Sequence, residues 1–242
     1  MEKATTALTS YVEEALVLVP ALRKISRAKR AAFALDLLLI ALGCRTAWLV
    51  DVVAVQEPHK VFMELLRALR AGEPIFDRVQ HIMEPASGQS FFVNIQLLEH
   101  ATTDGVKFVL IQTPLQLCPE PPTEVKVALN VLRDTHCFPE CLCPSVCVPL
   151  TAILLGYPIA YCPPASETTF LSNITLNVYS GVVFLPNREP HTMLKFSCPA
   201  SLGCAPEQLS AALRQQYGPR AAASELSFGV LHETHTLARV AL

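Results

Sequence analysis

The spacing of apolar residues changes along the chain, and each change marks an element. Ser10 followed by Glu13 forms a capping-box pattern, which predicts a short first helix from there to about Pro20. Apolar positions at helical spacing predict a second helix over 27–42, with Gly43 in the terminating position. Residues 47–55 then read Ala-Trp-Leu-Val-Asp-Val-Val-Ala-Val, the near-continuous run of a central strand covered on both faces. Trp48, Leu49, Val50 and Val52 are expected inside it. Pro58 suits the first turn of the next helix. Its buried stripe is Val61, Phe62, Leu65, Leu66 and Leu69, with Lys60, Glu64, Arg67 and Arg70 facing water and Gly72 as the stop. Strand, loop and amphipathic helix together predict the opening of a βα unit.

Two β-rich runs, 91–99 and 106–113, predict a hairpin across the Asp104-Gly105 turn. Pro119, Pro121 and Pro122 interrupt regular structure. Thr123 then caps a helix with Val125, Ala128, Leu129 and Leu132 on one face, and a further helical piece over 148–155 ends at Gly156. Strands are predicted over 159–162, 173–185 and 192–198. Pro206 opens a last helix, with Leu209 and Leu213 inward and Gly218-Pro219 at its close, and 225–240 supplies one or two final strands. No repeat or low-complexity linker divides the chain. The expectation is an α/β fold of the mixed α+β kind: one globular domain over 1–242, with an N-terminal helical part at 8–43 and a core at 46–242. Its sheet is mixed, partly antiparallel and covered by helices.

Composition narrows the function classes. Hydrophobic residues make up 51% of the 242 positions and charged ones 17%, which excludes a disordered chain. A net charge of −2 argues against a dedicated nucleic-acid module. The most apolar stretch, 31–55, is broken by Asp36, Arg45 and Asp51, so no membrane span is expected. The first residues lack the apolar core of a secretory leader. Nine cysteines, an odd number, then read as reduced thiols of a cytoplasmic or nuclear protein. The acceptor pattern Asn173-Ile174-Thr175 is accordingly idle, and reads as strand.

The densest chemistry lies in Cys137, Cys141, Cys143 and Cys147, two Cys-x₃-Cys pairs within zinc-knuckle range. Only Leu142 separates the pairs, which leaves little freedom for tetrahedral coordination. The expected reading is thiols beside a helix, with no metal and no cofactor. Asp51, an acid in an apolar strand, is either a ligand or nucleophile at a strand end or a carboxylate bonded to backbone amides. His232-Glu233-Thr234-His235 has i, i+3 rather than i, i+4 spacing and reads as strand, not as a metalloprotease helix. The 9 glycines form no phosphate loop or nucleophile elbow. Arg23, Lys24, Arg27, Lys29 and Arg30 make a basic run, with 23, 27 and 30 predicted on one helical face.

Three stretches carry a family resemblance: Ala47-Trp48-Leu49-Val50-Asp51, Leu154-Leu155-Gly156-Tyr157-Pro158-Ile159-Ala160-Tyr161 and Leu194-Lys195-Phe196-Ser197-Cys198-Pro199. In that order the chain resembles a metazoan family known only as a domain of unknown function. The resemblance implies an intracellular protein of about this length and brings no activity, cofactor or catalytic residue. Tyr157 and Tyr161, each with an apolar body and a polar tip, are candidates to line a pocket or to pack in the core.

Two functions fit these readings. The first is a non-catalytic interaction or adaptor protein that presents a helix face or sheet edge to another protein. The second is an enzyme, with hydrolysis as its chemistry, using a site near Asp51 with Tyr157 or Tyr161. A pocket holding Asp51 beside a His or Lys favours the second; an exposed apolar patch without convergent polar groups favours the first.

Overall fold

The computed structural model describes residues 2–164, 170–171, 174–185, 189–237 and 240–241. The chain opens with helices α1 (Glu2–Leu18) and α2 (Arg27–Ala41), followed by a short strand β1 (Ala47–Leu49) and helix α3 (Pro58–Gly72). Strands β2 (Val79–Met83) and β3 (Ser90–Asn94) complete an antiparallel sheet of order β1-β3-β2. A helical turn α4 (Ile95–Leu98) leads to β4 (Lys107–Leu110) and β5 (Gln116–Leu117), then to helices α5 (Thr123–Thr135) and α6 (Pro144–Leu154) and strand β6 (Ile159–Cys162). Strand β4 pairs parallel with β6 and antiparallel with β5, giving a mixed sheet. Last come β7 (Phe170–Leu171), β8 (Ile174–Phe184), β9 (His191–Pro199), α7 (Pro206–Ala222), β10 (Ser227–Leu237) and β11 (Val240–Ala241). Here β8 is central, in the order β10-β8-β9, while β7 and β11 form a small ribbon.

The fold is mixed α/β, as the sequence pattern predicts. Helix α2 is its hub because its Phe33–Ala41 stretch is buried on every side. Phe33, Leu37 and Leu38 join a core with α1, α3 and the first sheet, whereas Leu35 and Leu39 join a second core with α7 and the β10-β8-β9 sheet. A third core lies between α5, α6 and the β5-β4-β6 sheet. In the first, Trp48 meets Phe33 edge-on at 4.8 Å and stacks on Phe92 at 5.9 Å.

Helices α3 and α5 bury the predicted stripes, and Ser26 caps α2 through the Lys29 amide. Other expectations are corrected. Residues 47–55 do not form a central strand: only Ala47–Leu49 pair, at the edge of their sheet and antiparallel to β3. Val50, Val52, Val53 and Val55 instead pack half-buried against the first core, with one last backbone bond to β3 from the Val50 amide to the Ser90 carbonyl at 2.9 Å. There is thus no βα crossover between β1 and α3. Nor do 91–99 and 106–113 form a hairpin, because β3 and β4 belong to different sheets. Gly105 does take φ +75°, but the Asn94-capped turn α4 redirects the chain first.

Three helix limits also move. Helix α1 runs from Glu2, so Ser10 lies inside it. Helix α6 begins at Pro144 and takes in Cys147. Helix α7 continues through Pro219 to Ala222. The preceding Gly218 has no Cβ to collide with the proline ring, which relieves the usual restriction.

Candidate binding cleft

The strongest polar constellation is assembled from residues far apart in the chain. Asp36 sits in the buried middle of α2. Its Oδ1 accepts from Arg45 Nη1 at 3.3 Å and lies 3.0 Å from His191 Nε2 on β9. Arg45 also donates Nε to the Ala47 carbonyl at 2.9 Å and Nη1 to the Met193 carbonyl. The β8–β9 ladder slips by one residue beside Gly181 and Val182, so that Gly181 pairs with Leu194 and Val182 with Thr192. Met193 is therefore the extra residue of a bulge, and its carbonyl goes to Arg45 rather than to β8. Burial pushes the Arg45 guanidinium below its ordinary value, and Asp36 pulls it back. A charge so deep is tolerated because carboxylate and carbonyls surround it.

Above this clamp opens a cleft of about 280 Å³, lined among others by Trp48, Asp51, Tyr157 and Lys195. The structure thus brings Asp51 and Tyr157 together. Asp51 is exposed, and follows β1 rather than sitting within a strand. Burial pushes the Tyr157 phenol upward despite the nearby Arg45, so it remains a protonated donor. Tyr161 is elsewhere. Its hydroxyl donates to the Ser197 carbonyl at 3.1 Å, and burial raises it strongly.

The other candidates are dispersed. Cys137, Cys141 and Cys143 are exposed, and Cys147 is half-buried on α6 with its thiol pushed up by desolvation. No group of three His, Cys, Asp or Glu side chains among the described residues converges to hold a metal ion. The basic run does not share one helical face: Arg23 and Lys24 lie in the turn before α2, while Arg27 and Arg30 face Glu13 and Glu14 of α1 across a shallow groove. His232 and His235 lie on β10, which confirms the strand reading. His232 stacks on Tyr179 at 4.9 Å and shares Asn177 Oδ1 with Thr234, at 3.2 and 3.1 Å. Asn173 lies outside the described residues, so the glycosylation pattern has no structural counterpart to report.

Comparison gives no family name. Family models, curated proteins and solved structures all return no match to this chain. No helix among the described residues is long and apolar enough to cross a membrane.

Sequence reasoning passed over Arg45 and Asp36, which it treated only as interruptions of an apolar stretch. Two opposite charges in such a stretch are themselves a signal, since buried charges are paired. His191 and Lys195 carried no local signal, because His191 reaches Asp36, and Lys195 the cleft, only through the pairing of β9.

The sheet holding β9 has one guarded edge and one open edge. On the β9 side, the bulge and the inserted Arg45 disrupt strand geometry. On the other, the 11-residue β10 pairs with β8 alone. Among the described residues, no backbone hydrogen bond outside that ladder reaches 227–237. Residues 231–236 are all exposed. Leu231 is 55% exposed, and Phe184, opposite Ser227 on β8, is 42% exposed.

Proposed function

We infer that this chain is a non-catalytic interaction protein that takes an extended segment of another protein along the outer edge of β10. The observation that carries this reading is the open edge itself: an eleven-residue strand whose alternate amides and carbonyls point away from β8 and, among the described residues, meet no backbone partner. Unpaired strand edges are templates for strand addition, and proteins normally guard them by bulges or covering elements. Edge β9 is guarded in that way, whereas no bulge or covering strand guards β10 among the described residues. In the cleft, Arg45 and Asp36 already satisfy each other and so offer little to a reacting substrate. Hydrogen exchange on a co-purified complex tests the reading. Protection of amides in 227–237, with loss of the partner in His235→Pro at an unchanged unfolding midpoint, supports it. A partner that leaves exchange across 227–237 unaltered overturns it.

A second reading rests on the cleft, because Lys195 and Asp51 line it together. That juxtaposition favours an enzyme, with Asp51 as proton acceptor and Lys195 and Tyr157 as donors to a developing anion, in the manner of a hydrolase. Turnover of activated esters or phosphoesters, abolished by Asp51→Asn, supports it; no turnover above background by purified wild-type chain removes it.

A further inference from the structure

We propose that Cys204 and Cys198 form a reactive dithiol, in which Cys204 is the attacking sulfur, Cys198 the resolving sulfur and Lys107 the cation that favours the attack. Three features on separate elements converge there. Cys198 lies near the end of β9, and the chain turns back through a 3-10 turn at Ala200–Leu202 and through Gly203, whose φ is +64°. That reversal returns Cys204 to the buried cluster that holds Cys198, near enough for the two thiols to influence each other's titration, while the Cys198 thiol itself donates to the Pro199 carbonyl at 3.7 Å. From the neighbouring sheet, Lys107 of β4 brings Nζ to 3.7 Å from the Cys204 sulfur. Lys107 is exposed, whereas Cys204 is 6% exposed and Cys198 fully buried. The sulfur nearer solvent is therefore also the one beside a positive charge.

The roles follow from this asymmetry. A thiolate is the nucleophile, and an adjacent ammonium stabilises it. Burial pushes the Cys198 thiol up to about 12, which keeps it protonated in the resting pair. With a hydroperoxide as oxidant, the Cys204 thiolate attacks the terminal oxygen. An S–O bond forms as the O–O bond breaks, and the departing alkoxide takes a proton from water. The Cys198 sulfur then attacks the Cys204 sulfenic sulfur. An S–S bond forms, the S–O bond breaks, and hydroxide leaves as water with the Cys198 proton. In sum, two thiols and one hydroperoxide give one disulfide, one alcohol and one water. The disulfide closes a short loop between the end of β9 and the start of α7, a span already bent back on itself.

Exposed Cys137, Cys141 and Cys143 supply an internal control, since exposure alone makes them accessible. The full chain is treated with stoichiometric hydrogen peroxide and digested without reduction, and cysteine products are mapped by mass spectrometry. A Cys198–Cys204 disulfide forming before oxidation at the three exposed thiols is expected. In Cys198→Ser the sulfenic acid at Cys204 accumulates and is trapped by dimedone. In Lys107→Gln, oxidation of Cys204 slows several-fold, because the ammonium 3.7 Å from its sulfur is gone. Lys107→Arg restores the rate. Oxidation confined to Cys137, Cys141 and Cys143 overturns the proposal, as does an unchanged rate in Lys107→Gln. Lys107 is at the surface, so its variants test the chemistry without disturbing the core.

Discussion

His81 sets a specific acid sensitivity for the first core. It lies on β2, 3% exposed, with neither ring nitrogen hydrogen-bonded. The Phe62 ring is 5.0 Å away, the Phe92 ring 5.8 Å and the His59 ring 5.8 Å. Desolvation, with His59 adding a smaller push, lowers His81 from 6.5 to about 4. The folded chain thus keeps a neutral imidazole where the unfolded chain takes up a proton. Stability is fully present above pH 6.5 and is lost as pH falls toward 4. A separation of about 2.5 units corresponds to a loss of about 2 kcal/mol at pH 5 and about 3 kcal/mol at pH 4. Urea unfolding at pH 8, 6, 5 and 4, run in parallel on wild type and His81→Leu, isolates this contribution because other titrating groups cancel in the difference. The variant is expected to be more stable already at pH 8, by about 1–3 kcal/mol, because it no longer buries two unpaired nitrogens. Its advantage grows by the amounts above on acidification. Equal pH dependence in the two proteins refutes the argument.

Arg45→Met leaves Asp36 buried beside His191 alone and strands two carbonyls, so a loss of about 3–5 kcal/mol is expected in urea unfolding. Adding Asp36→Leu to that chain recovers a large part of it; a single variant within about 1 kcal/mol of wild type counts against the clamp. Gly156→Ala places a Cβ on the buried Tyr217 hydroxyl, at a position whose φ is +73°. Because Tyr217 also donates to the Gly156 carbonyl at 2.8 Å, a destabilisation of at least about 2 kcal/mol is expected by thermal unfolding. An unshifted melting temperature contradicts it.

Local chemistry was legible in the sequence; pairing between distant segments was not. Helices α2, α3 and α5 emerge because a 3.6-residue apolar period coincides with stop residues such as Gly43 and Gly72. The run at 47–55 misleads because burial alone produces it: Val50 to Val55 line a core in irregular conformation, and an apolar run does not distinguish this from a strand. The Asp104-Gly105 turn is real, yet β4 finds its partner in β6, some fifty residues on, where parallel pairing needs a long crossover. The cleft was half legible. Asp51 and Tyr157 stood out as polar groups in apolar settings and do meet there. Tyr161 carried the same local signal but is turned to Ser197 by the strand's alternation, and Lys195 reaches the cleft only once β9 is in place.

The Arg45–Met193 contact joins positions 148 residues apart. A ribosome adding about 5–20 residues per second needs roughly 7–30 s to cover that interval. Throughout it, α2 with Asp36, and Arg45 just beyond it, lack His191 and the Met193 carbonyl, and Leu35 and Leu39 are uncovered. The hub helix is thus an unfinished surface during synthesis, with its second-core face still open to water. Contacts of such sequence separation slow folding, because loop closure precedes their reward. Until β9 emerges, the second-core face of α2 has nothing of its own chain's final sheet to bury it.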